Sequence, residues 1–317
     1  MSILSLLSGV FLGWGLGAND SANIFGTAVY SRVVSYRLAI VLTAIFVTLG
    51  AVLEGNNGIE KVSAFSRVNG ISTMYVAAIV MFAAGITVLL MTKLRLPVST
   101  SQAVIGAIMG HGLLMGQGAF DQTKAFVGAW IFTPIGGMVF AMLLYGIVKK
   151  YFEERLTKFR FFQSFIWFGY IFAGIFGAYS LGANNVANVF GVVSSVSSEA
   201  FRTYAGLLGG LAIAIGVLTY SKPVMKTVGN GIVPLSNVTG FLVVIASGIT
   251  VYLYARIGIP VSTSQAVVGA LIGIGLIKDY RIINFKLLRR ILIGWLMTPG
   301  ISGVLSYFVL GVFYSLL

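Results

Sequence analysis

Long apolar runs alternate with short polar segments along the whole chain. The runs cover approximately residues 2–30, 37–54, 73–92, 97–118 and 125–148, and then 162–198, 203–220, 236–255, 260–277 and 287–316. Runs of about twenty apolar residues fit helices that cross a bilayer, whereas a membrane β-barrel would show alternating segments of about ten residues. The pattern therefore predicts an all-α polytopic membrane protein built from five units that occur twice.

Asparagines interrupt the first run of each half at matching positions. Residues Gly17–Gly26 read GANDSANIFG, and residues Gly182–Gly191, 165 positions later, read GANNVANVFG. Polar groups at membrane depth find no water to bind, so such an interruption is costly. Two matching interruptions are typical of transporters whose discontinuous helices meet at a site near the bilayer midplane. We therefore expect a helix break at both motifs.

Two further landmarks repeat with nearly the same spacing. The segment Pro97–Val104 (PVSTSQAV) returns as Pro260–Val267 at an offset of 163, and WIFTP at 130–134 is matched by WLMTP at 295–299 at an offset of 165. This constancy indicates an internal duplication. We divide the chain into a first transmembrane repeat at 1–148, a charged cytoplasmic linker at 149–161 and a second repeat at 162–317. Because five is odd, the two repeats are expected to be inverted.

The charges are few and unevenly distributed between the two sides of the predicted bundle. Hydrophobic residues make up 58% of the chain and charged residues 9%, with a net charge of +13. Sixteen of the 21 basic residues fall on the side of the linker, and five fall on the other side: Lys61, Arg67, Lys124, Arg202 and Arg256. By the positive-inside rule, the linker side is cytoplasmic and both termini lie outside the cytoplasm.

The composition also excludes several classes of function. The basic residues lie in short loops, so the positive charge reports topology and not nucleic-acid binding. The chain has no cysteine, which excludes disulfides and thiolate metal sites. No nucleophile–base set, metal-ligand set or nucleotide-binding loop is visible, so an enzyme is not expected. The start of the chain reads as a first membrane span and not as a cleaved signal, and we expect a multi-pass protein of the cell (inner) membrane, in contact with the lipid bilayer.

Asp20 is the one carboxylate that lies deep in an apolar run. A buried carboxylate is costly unless it is paired or protonated, so it marks either a function or a cap of the helix that starts at Ser21. The neighbouring asparagines are spaced four apart in both copies of the motif: Asn19 and Asn23, Asn184 and Asn188. Amide and carboxylate oxygens suit small hard cations, and the alternative role for the amides is hydrogen bonding between helices.

The two PVSTSQ segments predict a different kind of site. Each has a proline followed by three hydroxyl residues and a smooth apolar run: Ser99, Thr100 and Ser101, and Ser262, Thr263 and Ser264. This order is typical of a helix N-terminus, where free backbone N–H groups and hydroxyl donors can bind an oxyanion without a basic side chain. Alternatively, the hydroxyls bond back to the preceding turn and only bend a helix.

Neither kind of motif contains lysine or arginine. An oxyanion placed about 4 Å from Asp20 would be repelled by several kcal/mol at an effective dielectric near 20. A cation must therefore enter with the anion, which predicts cation-coupled symport. The oxygen ligands favour Na⁺, although a proton on Asp20 would also remove the repulsion. An anion channel would use the same helix ends but would not need Asp20.

The four motifs in this order resemble the PiT family of inorganic phosphate transporters over nearly the whole chain. The resemblance implies Na⁺- or H⁺-driven phosphate uptake by alternating access between two inverted repeats, with Na⁺ as coupling ion and no other cofactor. It also adds Gln102, Asn185 and Gln265 to the candidate cation ligands. Many members carry Asp at the position of Asn185, and some are similar to sulfate permeases. We expect phosphate at the Ser-Thr-Ser segments, Na⁺ at the asparagines, Asp20 and the glutamines, and leave a homo-oligomer open.

Two further polar residues, Glu54 and His111, lie outside the four motifs. Glu54 ends an apolar run, and its sequence position fits an interfacial side chain that pairs with Lys61. The family resemblance makes Glu54 an additional cation-binding or gating candidate. His111 is the only histidine, and its glycine neighbours predict a wet position at the membrane interface.

Overall fold

The computed structural model describes residues 3–93, 98–156, 161–228 and 232–316. Its helices in the first half are α1 (Ile3–Asp20), α2 (Ala22–Tyr30), α3 (Tyr36–Glu54), α4 (Asn56–Val68), α5 (Met74–Lys93), α6 (Thr100–Leu114) and α7 (Phe120–Leu156). The second half contains α8 (Phe162–Ser194), α9 (Glu199–Val228), α10 (Asn237–Ile257), α11 (Thr263–Lys278) and α12 (Phe285–Ser315), with a 3₁₀ turn at Tyr280–Ile282. The described chain is otherwise loops and turns.

Seven of the described helices are long and apolar enough to cross a membrane, namely α3, α5, α7, α8, α9, α10 and α12. Their lipid-facing sides carry many exposed large apolar residues, such as Phe132, Phe172 and Leu296. Exposure of this kind is costly in water and neutral in hydrocarbon. The prediction of an all-α polytopic membrane protein is confirmed.

The helices pack in matching pairs across the two halves. The pair α1 and α2 corresponds to α8, and α3, α5, α6 and α7 correspond to α9, α10, α11 and α12. Between the halves, α1 packs on α9 as α8 packs on α3, and α6 packs on α12 as α11 packs on α7. Within the halves, α1 packs on α5 as α8 packs on α10. The packing contacts of the first half are thus repeated in the second half, as the motifs of the sequence are.

Glycines allow the matching helices to approach closely at equivalent points. A Cβ atom on Gly106 of α6 would overlap the carbonyl of Pro299 in α12, and one on Gly269 of α11 would overlap the carbonyl of Pro134 in α7. Both prolines belong to the repeated Trp-to-Pro segments and lie inside their helices. Absence of a side chain is therefore required at these two crossings, as is common where membrane helices pack backbone to backbone.

The first asparagine motif breaks its helix, but the second does not. In the first copy α1 ends at Asp20, Ser21 forms a turn, and the backbone N–H groups of Ile24 and Phe25 both donate to the Ser21 carbonyl. In the second copy α8 runs without interruption to Ser194. The expected break at residues 182–191 is therefore wrong. Five of the six side-chain N and O atoms of its asparagines have hydrogen-bond partners described below, the exception being Asn188 Oδ1, so the motif can stay helical at membrane depth.

Two other features of the chain differ from the predicted five units. Helix α4 lies between the second and third apolar runs and packs against α8. It carries Glu60, Lys61 and Arg67 on one face and buries Val62 and Phe65 on the other. Because the helix is amphipathic, its sequence contains no continuous apolar run. Helix α7 continues into the charged linker as far as Leu156, and residues 157–160 lie outside the described ranges.

Candidate functional site

Asp20 lies buried at the end of α1, where the first motif breaks the helix. The side-chain amide of Asn19 donates to Asp20 Oδ1 at 3.3 Å, and that of Asn23 lies 3.5 Å from the same oxygen. The cap position of α2 belongs to Ser21, which makes no side-chain capping bond. Asp20 therefore does not act as the helix cap that was its alternative role.

No basic side chain within the described residues pairs with Asp20. The ion pairs that the described chain forms are Lys124 with Asp121 and Arg256 with Glu54. Side-chain amides supply only partial positive charge to a carboxylate, so they do not compensate its burial. The first motif thus presents a buried acid whose charge is balanced only when a cation or a proton reaches it.

The second motif repeats this arrangement with an amide in place of the acid. The Asn188 amide donates to Asn185 Oδ1 at 3.0 Å, which matches the contact of Asn23 with Asp20. The Asn185 amide in turn donates to Thr263 Oγ1 at 3.2 Å. The second motif therefore touches the second Ser-Thr-Ser segment directly.

Asn184 holds the loop that leads into α11. Its amide donates to the carbonyl of Ile259 at 3.0 Å, and its Oδ1 accepts the backbone N–H of Val261 at 2.8 Å. Both ends of the side chain are engaged with the backbone of another element. For this residue, the structural role of an interhelical hydrogen bond, left open above, is the one observed.

Both Ser-Thr-Ser segments form helix N-termini, as their sequence predicts. Ser99 caps α6 by accepting the N–H of Gln102 at 3.3 Å, and its hydroxyl lies 3.2 Å from that of Ser101. The second copy has the same geometry, in which Ser262 accepts the N–H of Gln265 at 3.3 Å and its hydroxyl lies 2.8 Å from that of Ser264. The hydroxyls cap the helix that follows and do not bend the one that precedes. Pro97 lies outside the described residues.

The packing brings the four motifs together in a crossed arrangement. Helix α11, which begins at the second Ser-Thr-Ser segment, contacts α2 of the first asparagine motif. Helix α6, which begins at the first Ser-Thr-Ser segment, contacts α8 of the second motif. These two contacts cross between the repeats, whereas Asn185 contacts Thr263 within the second repeat, so the helices of the four motifs contact one another both within and between the repeats.

Five buried oxygen atoms in the four motifs have no hydrogen-bond partner: Ser21 Oγ, Thr100 Oγ1, Gln102 Oε1, Asn188 Oδ1 and Gln265 Oε1. A buried acceptor without a partner costs about 1–3 kcal/mol, and natural proteins keep such groups where a ligand satisfies them. The two glutamine oxygens occupy equivalent positions of the two repeats. Ser21 belongs to this set but was not among the predicted site residues, because a serine beside an acid gives no separate signal in the sequence.

Glu54 pairs with Arg256 and not with Lys61. Arg256 Nη1 lies 3.0 Å from Glu54 Oε2 and 3.2 Å from Oε1, and the hydroxyl of Tyr252 donates to Oε1 at 3.2 Å. The expected pairing with Lys61 is wrong because α10 brings a guanidinium to the end of α3, where its Nη1 contacts both carboxylate oxygens. This ion pair joins the first repeat to the second.

His111 is fully buried and not in a wet interfacial position as expected. Its Nδ1 lies 2.9 Å from the carbonyl of Asn69 and its Nε2 lies 3.1 Å from the hydroxyl of Tyr314. The ring thus links the end of α6 to the loop after α4 and to the end of α12. Both nitrogens are occupied, which is the usual condition for a histidine in a packed interior.

The chain is similar to known proteins over nearly its whole length. A model of the phosphate transporter family matches residues 16–306. A Pyrococcus furiosus protein named "Putative phosphate permease" is 29% identical, with 96% of this chain and 94% of the relative covered. A Bacillus subtilis sulfate permease is 27% identical, with 99% of this chain and 88% of the relative covered.

A solved structure described as a sodium-dependent phosphate transporter has the same fold. It superposes with a TM-score of 0.84 at 24% identity and covers 99% of both chains. The family match spans all four motifs, and the structural match spans both repeats. The chain belongs to the phosphate transporter family.

Proposed function

We propose that this protein imports inorganic phosphate by symport with Na⁺, through alternating access of a site between its two repeats. The observation that carries the proposal is the set of buried, partnerless oxygens in the four motifs, together with a buried acid that none of the described basic residues balances. Membership of the phosphate transporter family and the likeness to a sodium-dependent phosphate transporter support it. The same test decides whether Na⁺ or H⁺ is the coupling ion.

The cation ligands are proposed to be Asp20, Asn188, Gln102 and Gln265. Each offers an oxygen that is buried and, for the last three, without a partner. Asn19, Asn23 and Asn185 complete the group, since their amide oxygens are the same kind of hard ligand. A Na⁺ ion beside Asp20 would cancel the charge that otherwise repels an oxyanion.

The anion ligands are proposed to be the hydroxyls and free backbone N–H groups at the starts of α6 and α11. The Ser99–Ser101 and Ser262–Ser264 contacts each use one hydroxyl hydrogen, which leaves one hydroxyl donor in each pair for an anion. Thr100, Ser101, Thr263 and Ser264 lie in the first turns, where backbone N–H groups have no partner inside the helix. Two facing helix starts would thus hold an oxyanion without arginine or lysine.

The two-fold packing supports alternating access. The helices that carry the asparagine motifs pack on helices of the opposite repeat, so movement of one repeat against the other would open one side of the site while closing the other. An anion channel would need the helix starts but not the buried acid. Because Asp20 is buried among amide side chains, the site favours a cation-coupled carrier over a channel.

The proposal is tested by uptake of radiolabelled phosphate into proteoliposomes that contain the purified protein. An inward Na⁺ gradient is expected to drive accumulation above equilibrium, and a K⁺ gradient of the same size is not. Uptake that follows a proton gradient alone would assign the coupling to H⁺. Phosphate currents that persist without any cation gradient would identify a channel and contradict symport.

Sulfate is the second candidate substrate, because a sulfate permease is among the relatives that align over 99% of this chain. Sulfate and phosphate share the tetrahedral oxyanion shape but differ in protonation, since only phosphate carries a hydroxyl near neutral pH. Competition in the same proteoliposomes distinguishes them. Phosphate uptake that is unaffected by a hundredfold excess of sulfate supports phosphate, and the opposite result assigns sulfate.

A further inference from the structure

A polar cleft of about 560 Å³ lies between α4 and the junction of α8 with α9. Its walls include two arginines, Arg67 and Arg202, and two hydroxyl residues, Ser63 and Ser194. The cleft is formed by elements of both repeats. None of its residues belongs to the four motifs.

The two arginines are oriented by hydrogen bonds and are free to bind a ligand. Arg67 Nη1 donates to Ser63 Oγ at 3.0 Å, and Arg202 Nε donates to the carbonyl of Ser194 at 3.0 Å. Neither is in an ion pair, since those of the described chain involve Lys124 and Arg256. Each guanidinium therefore keeps donors in a fixed fork, the geometry that suits tetrahedral oxyanions.

Ser194 provides independent support for a ligand in this cleft. It is completely buried and its hydroxyl has no hydrogen-bond partner, although it lines the cleft beside Arg202. A buried hydroxyl without a partner is costly. A polar ligand in the adjacent cleft would satisfy it once a small movement of the wall opened the hydroxyl to the cleft.

The cleft lies close to the second asparagine motif along α8. Ser194 follows Asn188 by six residues on one continuous helix, a rise of about 9 Å. Helix α4 packs directly over the motif, and a Cβ on Gly58 would come within 2.9 Å of Ala187 Cβ. Arg67 and Arg202 also belong to the five basic residues on the side assigned as external. The cleft thus lies beside the second motif, at the side that the basic residues assign as external.

The charge of the cleft suits brief capture and not tight binding. Glu60 and Glu199 share its walls with the two arginines, so its formal charge is balanced. The carboxylates weaken anion binding at moderate distance, whereas the guanidinium donors act at contact. An ion held here can be released toward the motifs or back to the solution.

From these observations we infer that the cleft is an external capture site for a tetrahedral oxyanion, which it holds before transfer to the site between the repeats. Under the proposed function, on which this inference rests, the ion is phosphate. The cleft would raise the local phosphate concentration beside the second asparagine motif without taking part in coupling to Na⁺.

The inference is tested with Arg67→Gln, Arg202→Gln and the double variant in proteoliposomes. The double variant is expected to raise the external KM for phosphate about tenfold and to leave the maximal rate and the Na⁺ dependence within about twofold. Lys124→Gln is the matched control, because it removes one positive charge from the same side at an exposed residue outside the cleft. It is expected to leave the KM unchanged. Glu60→Gln should shift the KM in the opposite direction and lower it.

Equilibrium dialysis of radiolabelled phosphate against the purified protein separates this inference from the proposed function. Wild-type protein is expected to show a weak site that the double arginine variant lacks and that Asp20→Asn retains. An unchanged KM and unchanged binding in a folded double variant would overturn the capture site, as would an equal KM rise in Lys124→Gln. Absence of phosphate uptake by the wild type would refute the proposed function, while dialysis with phosphate and with sulfate would still decide whether the cleft binds an oxyanion.

Discussion

The chemistry of this protein depends on buried polar residues that lack conventional partners. Asp20 is surrounded by amide donors, and Gln102 and Gln265 point equivalent oxygens into the interior without a hydrogen bond. Such groups lower the stability of the protein without bound ions, and under the proposed function Na⁺ would satisfy them. Function and stability are therefore expected to change in opposite directions when these residues are replaced.

Replacement of Asp20 by Asn is expected to abolish Na⁺-driven uptake. The substitution preserves size and removes the charge, and an ion contact at about 4 Å contributes roughly 4 kcal/mol at an effective dielectric of 20. We expect the apparent Na⁺ affinity to fall by at least about a hundredfold, as measured by Na⁺ titration of phosphate uptake. Asp121→Asn is the control, since Asp121 is exposed and pairs with Lys124. Near-normal Na⁺ dependence in Asp20→Asn would remove Asp20 from the cation site.

Replacement of Gln265 by Leu should stabilise the protein in Na⁺-free buffer and impair transport. Leucine has a similar volume and removes a buried acceptor whose missing partner costs about 1–3 kcal/mol. The melting temperature in detergent without Na⁺ is expected to rise by a few degrees, while the stabilisation that Na⁺ gives to the wild type is lost. Gln102→Leu should behave in the same way. A variant that melts earlier without Na⁺ but still responds to it would show that Gln265 has a structural role.

At the scale of elements, the repeated motifs predicted the starts of α6 and α11 but not every break in the backbone. The sequence places GANDSANIFG and GANNVANVFG at equivalent positions, yet only the first interrupts its helix. The difference arises from long-range contacts, since Asn184 bonds to the Ile259 and Val261 backbone and Asn185 bonds to Thr263. Partners 75 or more residues away are not visible in a local pattern. The same limit applies to α4, whose buried face depends on its position against α8.

Helix crossings offer a test of the two-fold packing. Gly106→Ala and Gly269→Ala should each destabilise the protein, because the added methyl group would overlap the Pro299 or Pro134 carbonyl. Overpacking of this kind costs about 1–3 kcal/mol, which lowers the melting temperature by several degrees. Gly146→Ala in α7 is the control, because nothing lies within 4 Å of its added Cβ. It is expected to be neutral or slightly stabilising. Equal behaviour of all three variants would contradict the close crossings.

On the scale of the whole molecule, the Glu54–Arg256 ion pair connects α3 of one repeat to α10 of the other. If the ion pair stabilises one conformation of the transport cycle, loss of either partner should have the same effect as loss of both. Glu54→Gln and Arg256→Gln are then expected to change the phosphate uptake rate by similar factors, and the double variant should be no worse than either. If Glu54 instead binds a coupling cation, only Glu54→Gln would shift the Na⁺ dependence. Na⁺ titrations of the three variants decide between the pair and the cation site.

The grouping of basic residues was predicted from the sequence and agrees with the packing. Lys61 and Arg256 line one cleft, and Arg67 and Arg202 line another, with Glu60 common to both. At the opposite end Arg32 lies beside Phe162 and Asn237. These clefts keep the basic residues assigned to one side apart from Arg32, but the packing is the same whichever end faces the cytoplasm. Which end faces the cytoplasm therefore stays a prediction of the positive-inside rule.

This orientation can be measured because the chain contains no cysteine. Single substitutions Lys124→Cys and Lys286→Cys place one thiol at each end, at residues that are exposed. With the linker side in the cytoplasm, a membrane-impermeant maleimide should label Lys124→Cys on intact cells and Lys286→Cys only after permeabilisation. Both variants must retain phosphate uptake, so that labelling reports the working protein. The reversed labelling would place both termini in the cytoplasm and would turn the cleft of Arg67 and Arg202 toward the cell interior, where it could serve release but not capture.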